Sequence, residues 1–154
     1  MGRSTRAMAE STAGTVYAID TWRGSAEHAD ILKDKPPDWL KNEFLKNMTG
    51  LQNVKAVQLA SLEAADMFQG CKFDMVFLDA SHDYESVKAD ILAWRPLVAP
   101  GGLLCGHDYN WTEVGRAVNE LIPDVSAWCS PGWDDASIWY TTTAAAPREG
   151  PGEL

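Results

Sequence analysis

Short continuous apolar runs alternate with helix-period stripes along this chain. Val16-Tyr17-Ala18-Ile19 stops at Asp20, and Val54 to Leu59 follows a turn at Gln52-Asn53. Phe73 to Leu78 stops at Asp79, and Leu103-Leu104-Cys105 runs from Pro100-Gly101-Gly102 to Gly106. Runs of this length predict strands buried on both faces, as in parallel sheets. Between them, Tyr84, Val87, Ile91 and Trp94 recur on one helical face, as do Val114, Ala117, Val118, Leu121 and Ile122. Pro96 or Pro100 stops the first of these helices and Pro123 the second, with Asn110 and Glu113 as a capping pair for the second. Ser61 opens a short helix through Met67. The segment 26–49 predicts two helices broken at Pro36-Pro37, and Val125 to Cys129 and Ala136 to Thr142 read as a closing pair of strands. Strands alternating with helices predict right-handed βαβ units and a Rossmann-like, doubly wound α/β sheet, mostly parallel, with an antiparallel edge hairpin.

Composition narrows the function classes. A length of 154 residues with 45% hydrophobic residues predicts one domain over residues 1–143. The Pro- and Gly-rich end, 144–154, reads as a disordered tail. Thirteen basic against 22 acidic residues give a net charge of −9, which argues against nucleic acid as a partner. No apolar stretch is long enough to span a membrane. The opening MGRSTRAMAE has no apolar signal core, so a cytoplasmic location is expected. Three cysteines, Cys71, Cys105 and Cys129, without CxxC spacing support neither a disulfide framework nor a structural zinc site.

In doubly wound sheets, ligands sit beyond the carboxyl ends of the strands. Here those ends carry Asp20, Ser61, Asp79 and His107-Asp108. An acid such as Asp20 in this position hydrogen-bonds a ribose or simply turns the chain. Asp79 and Asp108, at the ends of strands expected to be neighbours, would share one coordination sphere suited to Mg²⁺. His82, three residues past Asp79, is either a proton acceptor or a surface residue. His107 is a candidate extra ligand, although imidazole suits transition metals better; His28 reads as solvated. Among the tryptophans, Trp94, Trp128 and Trp139 read as core. Trp22 and Trp111 follow strand ends, where they could stack a purine or wall a pocket, with packing as the alternative.

These residues resemble the class I S-adenosylmethionine-dependent methyltransferases, in particular the short metal-assisted O-methyltransferases of the sugar and macrocin type. The resemblance runs over most of residues 2–142. It rests on Val16-Tyr17-Ala18-Ile19-Asp20-Thr21-Trp22, on Phe73 to Asp79 with His82-Asp83-Tyr84, on Leu97 to Gly102, and on Gly106-His107-Asp108-Tyr109 with Val114 to Val118. It implies that Asp20, with Thr21 and Trp22, binds the cofactor ribose, that Ser61 and Leu62 flank the adenine, and that Gly2 and Ser4 close the methionine loop. It further implies that Asp79 borders the cofactor and, with Asp108 and His107, holds Mg²⁺. His82 would then be the general base toward a small-molecule hydroxyl.

The chain departs from the pattern twice. Related enzymes often carry Glu-Asp where this chain has His107-Asp108. The family's loop reads acid-x-Gly-x-x-x-Gly-x-Ser after a central first strand, whereas this chain opens at Gly2-Arg3-Ser4-Thr5, at the end of that loop. The first strand's two neighbours are therefore expected to lack their shared partner, with a homo-oligomer as one remedy. A non-catalytic assembly module that completes its sheet with another chain, and a metal-dependent hydrolase using Asp79, His82, His107 and Asp108, remain as alternatives.

Overall fold

The computed structural model describes residues 1–24, 29–129 and 137–145. His28, Trp133 and residues 146–154 lie outside that set, so the readings made of them have no structural counterpart. The chain divides into two compact units, Met1–Ala64 and Ala65–Leu154.

The first unit contains α1 (Arg3–Glu10), β1 (Val16–Asp20), α2 (Ala29–Leu32), α3 (Trp39–Asn47) and β2 (Val54–Gln58), and the division falls within α4 (Ser61–Met67). β1 and β2 pair in parallel from Val16↔Val54 to Asp20↔Gln58, which puts their carboxyl ends side by side. The break between α2 and α3 falls at Pro36-Pro37, as the ring-locked backbone and missing N–H groups require. Trp22, Phe44 and Met48 form the core, with Ala18, Leu40, Leu51 and Val54 packed on it. Asn53 ties the α1–β1 connection by donating from Nδ2 to the carbonyls of Ala9, Thr12 and Gly14 at 3.0–3.1 Å. Gly2 caps α1 at φ 71°, where a Cβ would lie 2.8 Å from Met48 Cε and 2.9 Å from the Phe44 ring.

The second unit holds β3 (Phe73–Leu78), α5 (Tyr84–Trp94), a 3₁₀ turn (Arg95–Leu97), β4 (Val98–Gly106), α6 (Thr112–Leu121), β5 (Ser126–Cys129) and β6 (Ser137–Thr142). Its sheet has the order β3-β4-β6-β5, with β3 and β4 parallel and the β6–β5 hairpin antiparallel. The helical stripes are buried as expected: Val87, Ile91 and Trp94 on α5, and Val114, Ala117 and Val118 on α6. Phe68, Phe73 and Trp94 cluster with ring centroids 5.2–6.4 Å apart.

The strands form two sheets: β1 bonds to β2 and β3 to β4, and no described strand joins the pairs, in keeping with the expected lack of a shared partner. Four expectations change. Burial on both faces is therefore confined to inner strands: Leu104, Cys105 and Gly106 of β4 are buried, whereas Lys55, Ala56 and Gln58 of β2 are exposed. β4 begins at Val98, ahead of the Pro-Gly-Gly stretch, with a register irregularity against β3 between Phe73 and Met75. Trp139, on inner β6, is core, but Trp128 lies on the outermost strand and is 54% exposed. Asn110 does not cap α6; Trp111 occupies that position without a side-chain cap, while the Asn110 N–H donates to Ser137 Oγ at 2.9 Å.

Candidate active site

The parallel register sets Leu78 opposite Gly106, and the His107 N–H donates to the Leu78 carbonyl at 3.1 Å. This pairing brings the residues that follow the two strands, Asp79 and His107-Asp108, to one edge of the sheet. It depends on Gly106, where a Cβ would stand 2.6 Å from both the Leu78 carbonyl oxygen and the Trp139 ring. Beyond Asp79, the Asp83 side chain accepts the Ser86 N–H at 3.0 Å and caps α5. That cap fixes the loop carrying His82. Hydrogen bonds from the Ser86 side chain and, after it, the Ser86 N–H lower the Asp83 carboxyl below the usual carboxylate range.

Asp108 is the centre of the cluster. It is buried and takes a left-handed backbone conformation at φ 57°, unusual for a residue with a Cβ. Its carbonyl accepts the Trp111 N–H at 2.9 Å. Its Oδ2 lies 3.0 Å from His82 Nε2 and its Oδ1 2.9 Å from His107 Nδ1, so one carboxylate orients two imidazoles. Ligand-capable atoms of Asp79, His82 and Asp108 all lie within 4.8 Å of one another. Asp79 has an open side toward solvent, yet the protein packed around its carboxyl raises its pKa, and the neighbouring Asp108 adds to the rise while His107 and His82 oppose it. The cluster borders a cavity of about 20 Å³, the space of a single water-sized species. Two carboxylates and an imidazole around such a space are a donor set that a divalent cation fits. The His107 ring points its Nδ1 to Asp108 and stands outside this three-residue group.

Two neighbours complete the surroundings. Trp111, 41% exposed, sets its ring 4.6 Å from the His82 ring at 49°. Asp90 is a buried carboxyl on α5 that also lines the cavity. Sequence reasoning passed over Asp90, although an acid between Val87 and Ile91 on a buried helix is a readable signal.

The remaining predicted residues lie in the first unit. Asp20, at the end of β1, accepts the Trp22 N–H through Oδ1 at 2.7 Å, which pins its carboxyl at the strand end. Thr21 is tied through its carbonyl to Gln58 Nε2 at 3.3 Å, and Gln58 in turn accepts from Lys41 at 2.8 Å. Ser61 and Leu62 open α4, just past the end of β2, on the side where Asp20 ends β1. A carboxylate beside a helix start at two adjacent parallel strand ends fits a ribose-bearing ligand. Ser4 is exposed in the first turn of α1 and Gly2 caps it, hemmed in by Phe44 and Met48. Trp22 is buried, 5.6 Å from the Phe44 ring, and takes φ 51°.

Known proteins share this fold. A family model described as "Methyltransferase domain" matches residues 1–109. The uncharacterized protein y4gI of Sinorhizobium fredii is 26% identical over 111 residues, which are 72% of this chain and 12% of that protein. Cofactor-bound Rv0187 from MTB superposes with a TM-score of 0.62 at 20% identity, covering 92% of this chain and 68% of its own. An O-methyltransferase family protein from Burkholderia thailandensis gives a TM-score of 0.57 at 12% identity over 95% of this chain and 57% of its own. These likenesses show the fold, and the chain spans only part of the length of each relative. With the family match covering more than half its residues, the chain belongs to the methyltransferase domain family.

Proposed function

We propose that this protein moves the methyl group of S-adenosylmethionine to a hydroxyl oxygen of a small molecule, with a divalent cation, Mg²⁺ first among candidates, assisting. The observation that carries this reading is the gathering of Asp79, His82 and Asp108 at adjacent strand ends. The O-methyltransferase family protein among the fold relatives supports oxygen as the target. Asp20 binds the ribose hydroxyls, with Thr21 and Trp22 shaping the turn that presents it, and Ser61 and Leu62 border the base. Gly2 and Ser4 border the methionine end.

Asp79 and Asp108 would hold the cation, which when bound would supply a Lewis acid to the acceptor hydroxyl. His82, held by Asp108 at 3.0 Å, takes the hydroxyl proton as the general base. His107, on the other oxygen of Asp108, steadies that carboxylate. Trp111 walls the outer side of His82. Much of the rate comes from orientation, for which intramolecular reactions allow up to roughly 7–11 kcal/mol.

The test is calorimetry with S-adenosylhomocysteine, followed by transfer of labelled methyl groups to a panel of hydroxyl compounds with Mg²⁺. Binding of the product analogue and a loss of about 10²–10⁴ in rate for His82→Ala are expected. Absence of cofactor binding would sink the reading, and near-parent turnover of the variant would remove the base role. A second reading, association through open sheet edges, is favoured by β3 being hydrogen-bonded to β4 alone among the described strands. Light scattering separates the two, since a stable monomer argues against association.

A further inference from the structure

A cavity of about 170 Å³ opens in the first unit, lined by Trp22, Arg23, Leu32, Lys35, Pro37 and Leu40. It shares no residue with the Asp79–His82–Asp108 group. Its walls are divided by chemistry: Trp22, Leu32, Pro37 and Leu40 are apolar, while Arg23 and Lys35 carry charge. Among the described residues, neither cation has a carboxylate at ion-pairing distance. The Lys35 ammonium lies over the Trp39 ring, 5.0 Å from its centroid, a contact that leaves its N–H donors available to a ligand.

The cavity is preformed on two sides. Trp22 is held in its left-handed conformation by the Asp20 carboxylate on its N–H and by Phe44 against its ring. A bulky residue in that conformation is strained, and such strain collects at ligand sites. Pro36-Pro37 fixes the backbone of the opposite wall. Size sets the ligand: a cavity of roughly 150 Å³ accommodates benzene. This one takes a single ring with a small substituent and is too small for a whole S-adenosylmethionine.

We propose that this cavity binds a small oxyanion carried on an apolar ring, with the ring against Trp22 and Leu40 and the anionic group toward Arg23 and Lys35. Charge-assisted hydrogen bonds from a guanidinium and an ammonium suit phosphate and carboxylate alike. The site shares no residue with the proposed metal-assisted centre, but Trp22 also belongs to the turn assigned to the cofactor ribose, so the S-adenosylhomocysteine arm of the test separates the two ligands.

Calorimetry with phenyl phosphate and with benzoate tests it on the full chain. One-to-one binding is expected, with phenol and inorganic phosphate each about tenfold or more weaker, because each lacks half the recognised chemistry. The Arg23→Gln/Lys35→Gln double variant, altered only at exposed side chains, should lose about tenfold or more, and Lys33→Gln, outside the cavity, should bind as the parent. The parent's preference between phenyl phosphate and benzoate identifies the oxyanion. Saturating S-adenosylhomocysteine should leave binding in place. The proposal is overturned if neither ring-bearing anion binds, if the double variant binds as the parent does, if inorganic phosphate matches phenyl phosphate, or if S-adenosylhomocysteine displaces the probe.

Discussion

His82 and Asp108, from the loops after two adjacent parallel strands, meet with Nε2 and Oδ2 3.0 Å apart. Asp108 reaches that position through a left-handed backbone at φ 57°. Asn keeps both the shape and the tolerance for this conformation, while Ala pays roughly 1–2 kcal/mol for it. Asp108→Asn is therefore expected to melt near the parent but bind divalent cation far more weakly, since a hard cation needs the charge. Loss of even a supporting partner costs roughly 10–100-fold in metal affinity, so at least that is expected. Asp108→Ala should lose affinity and stability together. A Mn²⁺ titration followed by electron paramagnetic resonance, alongside thermal melts, separates these outcomes; parent-like affinity in Asp108→Asn would exclude Asp108 as a ligand.

Asp79 supplies a pH prediction. Burial raises its carboxyl above the ordinary 3.8. The folded state then holds the proton where the unfolded chain has released it, so this group's contribution falls as pH rises through the window above 3.8 and stays lost at neutrality. Asp79→Asn is expected to be more stable than the parent at neutral pH without metal. The gap should close on acidification to below the ordinary carboxylate value. Added Mg²⁺ should stabilise the parent and leave the variant unmoved. Thermal melts across acid to neutral pH, with and without MgCl₂, read all three; a pH-independent gap would refute the assignment.

Much of this centre was legible because strand ends are legible. Asp79 and Asp108 each end an apolar run, and parallel neighbours bring such ends together. The left-handed backbone at Asp108 was not, since nothing in a His-Asp-Tyr stretch marks a positive φ as glycine would. Asn110 and Glu113 had the spacing of a cap, but Ser137 on β6 offered Asn110 a tertiary partner that local sequence cannot show. Trp128 and Trp139 look alike in sequence; only strand order makes one an outer-edge residue and the other core. The two-sheet arrangement is a matter of which strands find a neighbour, whereas the Arg23–Lys35 cavity arises from the α2–α3 connection, where periodicity is weak.

Gly106 holds the two strand ends together by having no side chain. A Cβ would stand 2.6 Å from the Leu78 carbonyl and from the Trp139 ring, which is 1% exposed and has no room to shift. Gly106→Ala is expected to cost about 1–3 kcal/mol, as overpacking does. It should also loosen Asp79 from Asp108 and so weaken cation binding. Gly70→Ala serves as the control: its φ of 84° strains it, but no atom lies within 4 Å of the added methyl, so it should lose stability without losing cation affinity. Urea titrations with a parallel Mn²⁺ titration compare them; equal affinity in both variants would show that Gly106 does not set the site.

Trp111 and His82 are in ring contact at 4.6 Å. Aromatic pairs contribute about 0.5–1.5 kcal/mol beyond burial, enough to hold an imidazole in one orientation about tenfold more often. Trp111→Phe should preserve this and Trp111→Ala should lose it, seen as a downfield move of the His82 ring protons in the nuclear magnetic resonance spectrum. In the methyl-transfer assay the Ala variant should lower kcat by about tenfold, with restoration in Phe. Unmoved ring protons in Trp111→Ala would mean that Trp111 does not position His82.

The three thiols should differ in reactivity. Cys105, on inner β4, is 2% exposed, its Sγ donates to the Val76 carbonyl at 3.4 Å, and burial pushes its pKa up to about 12. Cys71 and Cys129 are exposed. Since the thiolate is the nucleophile, a thiol held at about 12 is almost wholly protonated at the mildly alkaline pH of alkylation. Iodoacetamide is therefore expected to add to Cys71 and Cys129 in the folded protein and to Cys105 only in denaturant. Because β4 carries Asp108 at its end, the rate of Cys105 labelling in native buffer also reports opening of the strand that supports the site. Addition of Mg²⁺ should slow that rate by the same factor by which it stabilises the folded state. Peptide mass spectrometry over a time course gives both results; Cys105 labelling as fast as Cys129 in native buffer would show that β4 is not protected.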